Sequence, residues 1–133
     1  MAQRGRLSGV MLIIGYLGLL LVLHILPLGG SDLSRVTLSV FRVDYLLHSL
    51  VFLPWMPLGR RLLGQGVGFF PAAPHIWWFV GGCLLAPALE GVQYLLPYRS
   101  FNPIDALYNL LGVIGGGLLV LVLHRSWRTG PVR

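Results

Sequence analysis

Only four carboxylates occur in this chain of 133 residues, and three of them, Asp44, Glu90 and Asp105, fall within long apolar stretches. Each stands with other polar groups at helical spacing. Asp44 and His48 are four residues apart and share a helix face. Glu90, Gln93, Tyr94 and Pro97 share another, and Asp105, Asn109, Gly112 and Gly116 form a third stripe, polar above and glycine below. Such a set is suited to acid–base work, with His48 as a general base oriented by Asp44, and Glu90 or Asp105 as the acid. Arg99, on the turn between the last two stripes, would hold a phosphate or carboxylate. The candidate ligand-binding residues are therefore Asp44, His48, Glu90, Gln93, Arg99, Asp105 and Asn109. His48, Glu90 and Asp105 are the catalytic candidates, with no reaction assigned. Asp44, Glu90, Asp105, Asn109 and His48 are oxygen-rich enough for a hard cation, but their spacing is not diagnostic, and no metal or cofactor is assigned.

The other chemistry-bearing residues read as structural. His24 is alone in an apolar helix, and His75 and His124 lie at helix ends. None has the surroundings that tetrapyrrole ligation needs. Gly64, Gly66 and Gly68 follow no strand and open no nucleotide-binding helix, so they form a flexible connector. The chain has no Gly-x-Ser-x-Gly elbow and no His-Glu-x-x-His. Cys83, the single cysteine, excludes an intrachain disulfide and sits where a thiol is inert.

The elements that must position these groups follow from composition. The chain is 56% hydrophobic and 11% charged, against about 25% charged in a soluble domain. An ordinary soluble globule is excluded, and so is a disordered chain. A bilayer core needs about 20 apolar residues as helix, and four runs supply that: 10–28, 38–58, 76–96 and 103–123. The expected fold is all-α, a single polytopic membrane domain over 1–133 built as a four-helix bundle. Its connectors are short except 59–75, an interfacial loop. Arg4 and Arg6 followed by an apolar run and Gly29, Gly30 and Ser31 mimic a signal peptide, but the run is long and three more follow, so it reads as a retained helix. Pro87 should bend the third helix just below Glu90.

Arginine placement sets the orientation. Arg4, Arg6, Arg60, Arg61, Arg125, Arg128 and Arg133 fall on one side, and Arg35, Arg42 and Arg99 on the other. The positive-inside rule then puts both termini in the cytoplasm. The net charge of +6 is thus a topology signal and calls for no nucleic acid. Trp77 and Trp78 suit an inner-face aromatic belt, with Trp55 and Trp127 near the same interface. At 1.5 Å per residue, Asp44, Glu90 and Asn109 lie about 6 Å outside the midplane, and Gln93 and Asp105 about 10–12 Å. One outward-opening pocket is expected, with Arg99 folded in against Glu90 or Asp105.

Residues 89–118, LEGVQYLLPYRSFNPIDALYNLLGVIGGGL, resemble the VanZ-like family of small bacterial membrane proteins. The shared pattern is Glu90, Gln93, Arg99, Asp105, Asn109, Gly112 and Gly116, with Asp44 and His48 matching an earlier Asp–His pair. The resemblance covers about residues 40–120. It departs at Tyr45, where the family usually has lysine, and at Ser49, where it often has an aromatic residue. The resemblance implies a multi-pass protein of the bacterial inner membrane with a cell-envelope role. The family's namesake is linked to antibiotic resistance, to the lipoglycopeptide teicoplanin.

Three functions fit. The pocket could bind or remodel an amphipathic ligand, a lipid-linked cell-wall precursor or a lipoglycopeptide, from the outer leaflet. It could be a membrane-embedded hydrolase or transferase on a lipid-linked substrate. Or the chain could be an accessory subunit, docking membrane-protein partners through the Gly112/Gly116 face. Membrane lipids are partners in every case.

Overall fold

The computed structural model describes residues 2–26, 37–38, 41–63, 73–98 and 101–128, with no account of the side chains of 2–7, 37–38, 41–42, 73 and 124–128. The fold is all-α apart from one two-residue ladder. The elements in chain order are α1 (Ala2–Ile25), β1 (Thr37–Leu38), β2 (Phe41–Arg42), α2 (Val43–Phe52), α3 (Trp55–Leu63), α4 (Ala73–Tyr94) and α5 (Pro103–Arg128). β1 and β2 pair antiparallel, Thr37 opposite Arg42 and Leu38 opposite Phe41. Among the described residues, three helices are long and apolar enough to cross a membrane, over Ser8–Ile25, Pro74–Tyr94 and Pro103–Leu123. Their outward faces carry large apolar side chains such as Met11, Ile14, Leu84 and Val122. That is the reverse of a water-facing surface.

The second expected helix, 38–58, is not continuous. Residues 37–38 and 41–42 are drawn into the β ladder, and the helix that follows stops after Phe52. Pro54 has no N–H to return to Leu50, and Pro57 has none for Leu53. Helical bonding resumes on either side of the gap, from Leu53 N to Ser49 O (3.1 Å) and from Leu58 N to Pro54 O (2.9 Å). α2, with 10 residues, is about 15 Å long, half a bilayer core. The connector expected over 59–75 also starts as helix, since α3 runs to Leu63 and α4 begins at Ala73. Gly64, Gly66 and Gly68 lie outside the described residues.

α5 is the central element, packed against α2, α3 and α4, while α1 lies on α3 and α4. Glycine makes that position possible. Gly112 receives the Ser49 carbonyl and Phe52 Cβ, and Gly116 receives the Leu53 carbonyl; a Cβ at either would overlap them. The Leu53 carbonyl is the one that Pro57 leaves without its helical donor, so the break in α2–α3 and the glycine stripe of α5 are complementary. This face is taken by the chain's own helices.

α3 meets α4 through a reciprocal tryptophan pair. The Trp55 and Trp78 rings stack at 4.6 Å and 18°. Each indole N–H donates to the other residue's carbonyl at 2.9 Å. The Trp78 ring covers Gly59 and the Trp55 ring covers Gly82. Hence these two tryptophans are not members of an aromatic belt; their N–H groups are used inside the protein. Trp77, 72% exposed, does face outward.

Candidate functional site

Four helices each bring one polar side chain to the same place: His24 from α1, His48 from α2, Glu90 from α4 and Asn109 from α5. Asp105, one turn before Asn109, completes the group. Asn109 is the hub. Its Nδ2 donates to Glu90 Oε1 at 3.2 Å and lies 3.4 Å from His24 Nε2. Its Oδ1 faces His48 Nδ1 at 3.1 Å. Glu90 Oε1 is 3.8 Å from both His24 Nε2 and His48 Nδ1. The other nitrogen of His48, Nε2, is 3.6 Å from Asp105 Oδ2.

The hydrogens follow from the chemistry of the partners. His24 Nδ1 is 2.7 Å from the Leu20 carbonyl one turn back. A carbonyl only accepts, so Nδ1 carries the hydrogen and Nε2 turns a lone pair to Asn109 and Glu90. Asn109 must present its N–H side to the Glu90 carboxylate, so its Oδ1 faces His48, and His48 Nδ1 carries a hydrogen.

Local structure fixes each contributor. Tyr16, two turns before His24, donates its hydroxyl to the Val51 carbonyl at 2.6 Å and ties α1 to α2. Tyr98 OH donates to the Ile25 carbonyl at 3.1 Å, satisfying an orphan acceptor at the end of α1 beside His24. The His24 ring stands edge-on to Phe52, 6.0 Å away at 89°, and 5.7 Å from the His48 ring. Ser49 Oγ donates to the Tyr108 carbonyl at 2.9 Å, and Tyr45 stacks on Tyr108 at 4.9 Å. These two contacts set the register of α2 on α5, which places His48 against Asn109. Asn102 caps α5, its Oδ1 accepting Ile104 N–H at 3.1 Å, and so fixes Asp105 in the first turn.

Among the expected residues, His48, Glu90, Asp105 and Asn109 are brought together. Gln93 is buried one turn beyond Glu90. Asp44 is half-buried at the start of α2, where its Oδ1 accepts Tyr45 N–H at 3.1 Å. The carboxylates beside His48 are Asp105 of α5 and Glu90 of α4, not Asp44 as expected. Sharing a helix face with His48 does not bring Asp44 to its ring, whereas α5 packs directly on α2. Arg99, expected to fold in against the acids, lies outside the described residues. His24, read from the sequence as a packing residue, is a full member of the group. Depth was the signal for it: His24 is five residues outward of the middle of the 10–28 run, about 7.5 Å, the level of Asp44, Glu90 and Asn109.

Burial grades across the site. The Glu90 and Asn109 side chains are wholly buried, and His24 is 3% exposed. His48 and Asp105 keep 18% and 14% of their side-chain surface open. The His48–Asp105 edge is thus the open side of the group, with Glu90 behind it. In chemical terms the site offers a histidine between two carboxylates, a general-base geometry, and a wall of acceptors for a cationic or hydroxylated group. Compared with protein-family models, with curated proteins and with solved structures, the chain matches none. Its three apolar helices make it a helical, multi-pass membrane protein.

Proposed function

We propose that the chain is a VanZ-like protein of the bacterial cytoplasmic membrane that crosses it four times, the broken α2–α3 segment serving as the second crossing. Both termini lie in the cytoplasm. The site binds the head group of an amphipathic or lipid-linked ligand entering from the outer leaflet. One observation carries this reading: a chain with four carboxylates commits two of them, with two histidines and an asparagine, to one cluster between its helices. Intramembrane ionisable groups are costly by at least a few kcal/mol each and are kept for function. The graded burial gives the cluster a front, His48 and Asp105, for a ligand to reach.

The test is native mass spectrometry of the full chain released from lipid nanodiscs doped with a polyprenyl-diphosphate-linked sugar. A one-to-one adduct is expected, reduced at least tenfold in Asp105→Asn and His48→Gln. Adducts equal to those of bulk phospholipid, or unchanged in both variants, would refute ligand binding at this edge. The placement of His48 between Asp105 and Glu90 also favours a second reading, a hydrolase or transferase on the same ligand. Turnover of the doped lipid that is lost in His48→Gln while the adduct survives would decide for it.

A further inference from the structure

We infer that His24, His48 and Glu90 form a binding site for a divalent transition-metal ion of the zinc class. One donor atom from each of the three lies within 4.8 Å of the other two. Two legs of that triangle, His24 Nε2 to Glu90 Oε1 and His48 Nδ1 to Glu90 Oε1, are 3.8 Å. Donors of a tetrahedral zinc at about 2.0–2.1 Å stand about 3.4 Å apart, so these legs close by roughly half an ångström. Two imidazoles and one carboxylate form a donor set that zinc-class ions favour, with a fourth position left for water or a ligand oxygen.

The groups behind the donors point the same way. A metal-bound histidine usually donates its other ring N–H to a carbonyl or carboxylate, which fixes the ring and its tautomer. His24 does this already: Nδ1 donates to the Leu20 carbonyl at 2.7 Å, leaving Nε2 with its lone pair toward Glu90. His48 must change tautomer to do the same: its Nδ1, which carries the hydrogen toward Asn109, faces the triangle, and that hydrogen passes to Nε2, 3.6 Å from Asp105 Oδ2, when the ion enters. Each histidine thus has an acceptor on the nitrogen that would not bind metal. The Asn109 amide bonds the same three residues. It competes with the ion and must turn aside when the ion enters.

Metal loading is measured without any lipid, so this inference stands or falls apart from the proposed ligand. The full chain, purified in detergent through a tag without histidine and stripped with a chelator, is titrated with Co²⁺ and read by visible absorption. Zn²⁺ then displaces the cobalt. One ion per chain is expected. His24→Gln and Glu90→Gln should each weaken binding a hundredfold or more, and Asp105→Asn about 10–100-fold through His48. His75→Gln, at the far end of α4, should leave it unchanged. X-ray absorption of the zinc-loaded wild type needs no variant and should show two imidazoles on the metal. Failure of the stripped wild type to bind Co²⁺, a metal shell with fewer than two imidazoles, or full affinity in His24→Gln would each overturn the site.

Discussion

Replacing Gly112 by alanine adds a single methyl group where α5 rides on α2, and its effect can be worked from the contacts. The new Cβ would overlap the Ser49 carbonyl oxygen and lie 2.8 Å from Phe52 Cβ, where ordinary contact begins at 3.4 Å. Ser49 O is backbone, so no side chain can swing away; α2 as a whole must retreat by close to an ångström. Overpacking of that kind costs about 1–3 kcal/mol. Alanine also gains up to about 1 kcal/mol over glycine in a helix, which blurs the single measurement. Gly115 removes the ambiguity, because a Cβ there meets nothing within 4 Å. Both alanines share the helix gain, so Gly112→Ala should be less stable than Gly115→Ala by about 1–3 kcal/mol, the overpacking alone. Thermal unfolding in detergent, followed by intrinsic tryptophan fluorescence, measures the difference. The same retreat would stretch the 3.1 Å contact between His48 and Asn109, so ligand adducts or metal binding should weaken in Gly112→Ala only. Equal melting temperatures for the two alanine variants would refute the close packing of α2 on α5.

Asn109→Ala should cost about 3 kcal/mol or more in the same melt, since it takes partners from Glu90, His24 and His48 at once. Added to Glu90→Gln it should cost less than the sum of the two changes; strict additivity would mean that Asn109 and Glu90 are not coupled. For orientation, single cysteines at Ser31 and Ser126 in a Cys83→Ala background should react with an impermeant external reagent at Ser31 and not at Ser126. The reverse pattern would invert the topology.

The first, third and fourth apolar runs were legible because α1, α4 and α5 run unbroken through most of them, for which hydropathy and length suffice. The second was not. A hydropathy window averages over Pro54 and Pro57, whereas the backbone responds to each missing N–H. Within the site, Glu90, Asp105 and Asn109 could be read from helical phase, because α4 and α5 are regular through those positions. His24 escaped because it was weighed inside its own helix, where it has no polar neighbour at i±3 or i±4; its partners come from three other helices. The expectation that Asp44 orients His48 misses Asp105 for the same reason. Sequence spacing reports which residues share a face and says nothing of what a second helix lays against it. Asn109 as the hub was also hidden, since the amide that donates to Glu90 only emerges once α4 and α5 are side by side.

The break between α2 and α3 bears on how the chain is made. Neither piece, of 10 and 9 residues, has the length with which a nascent segment partitions into lipid alone. The carbonyls of Leu50 and Leu53, left without helical donors, would be stranded in hydrocarbon. What receives the Leu53 carbonyl is Gly116 of α5, which emerges from the ribosome some sixty residues later. Until then the α2–α3 piece has reason to remain in the wet interface. With α2–α3 as the proposed second crossing, membrane integration would be completed from the C-terminal end, and a nascent chain stopped before Gly112 should leave α2 accessible to water.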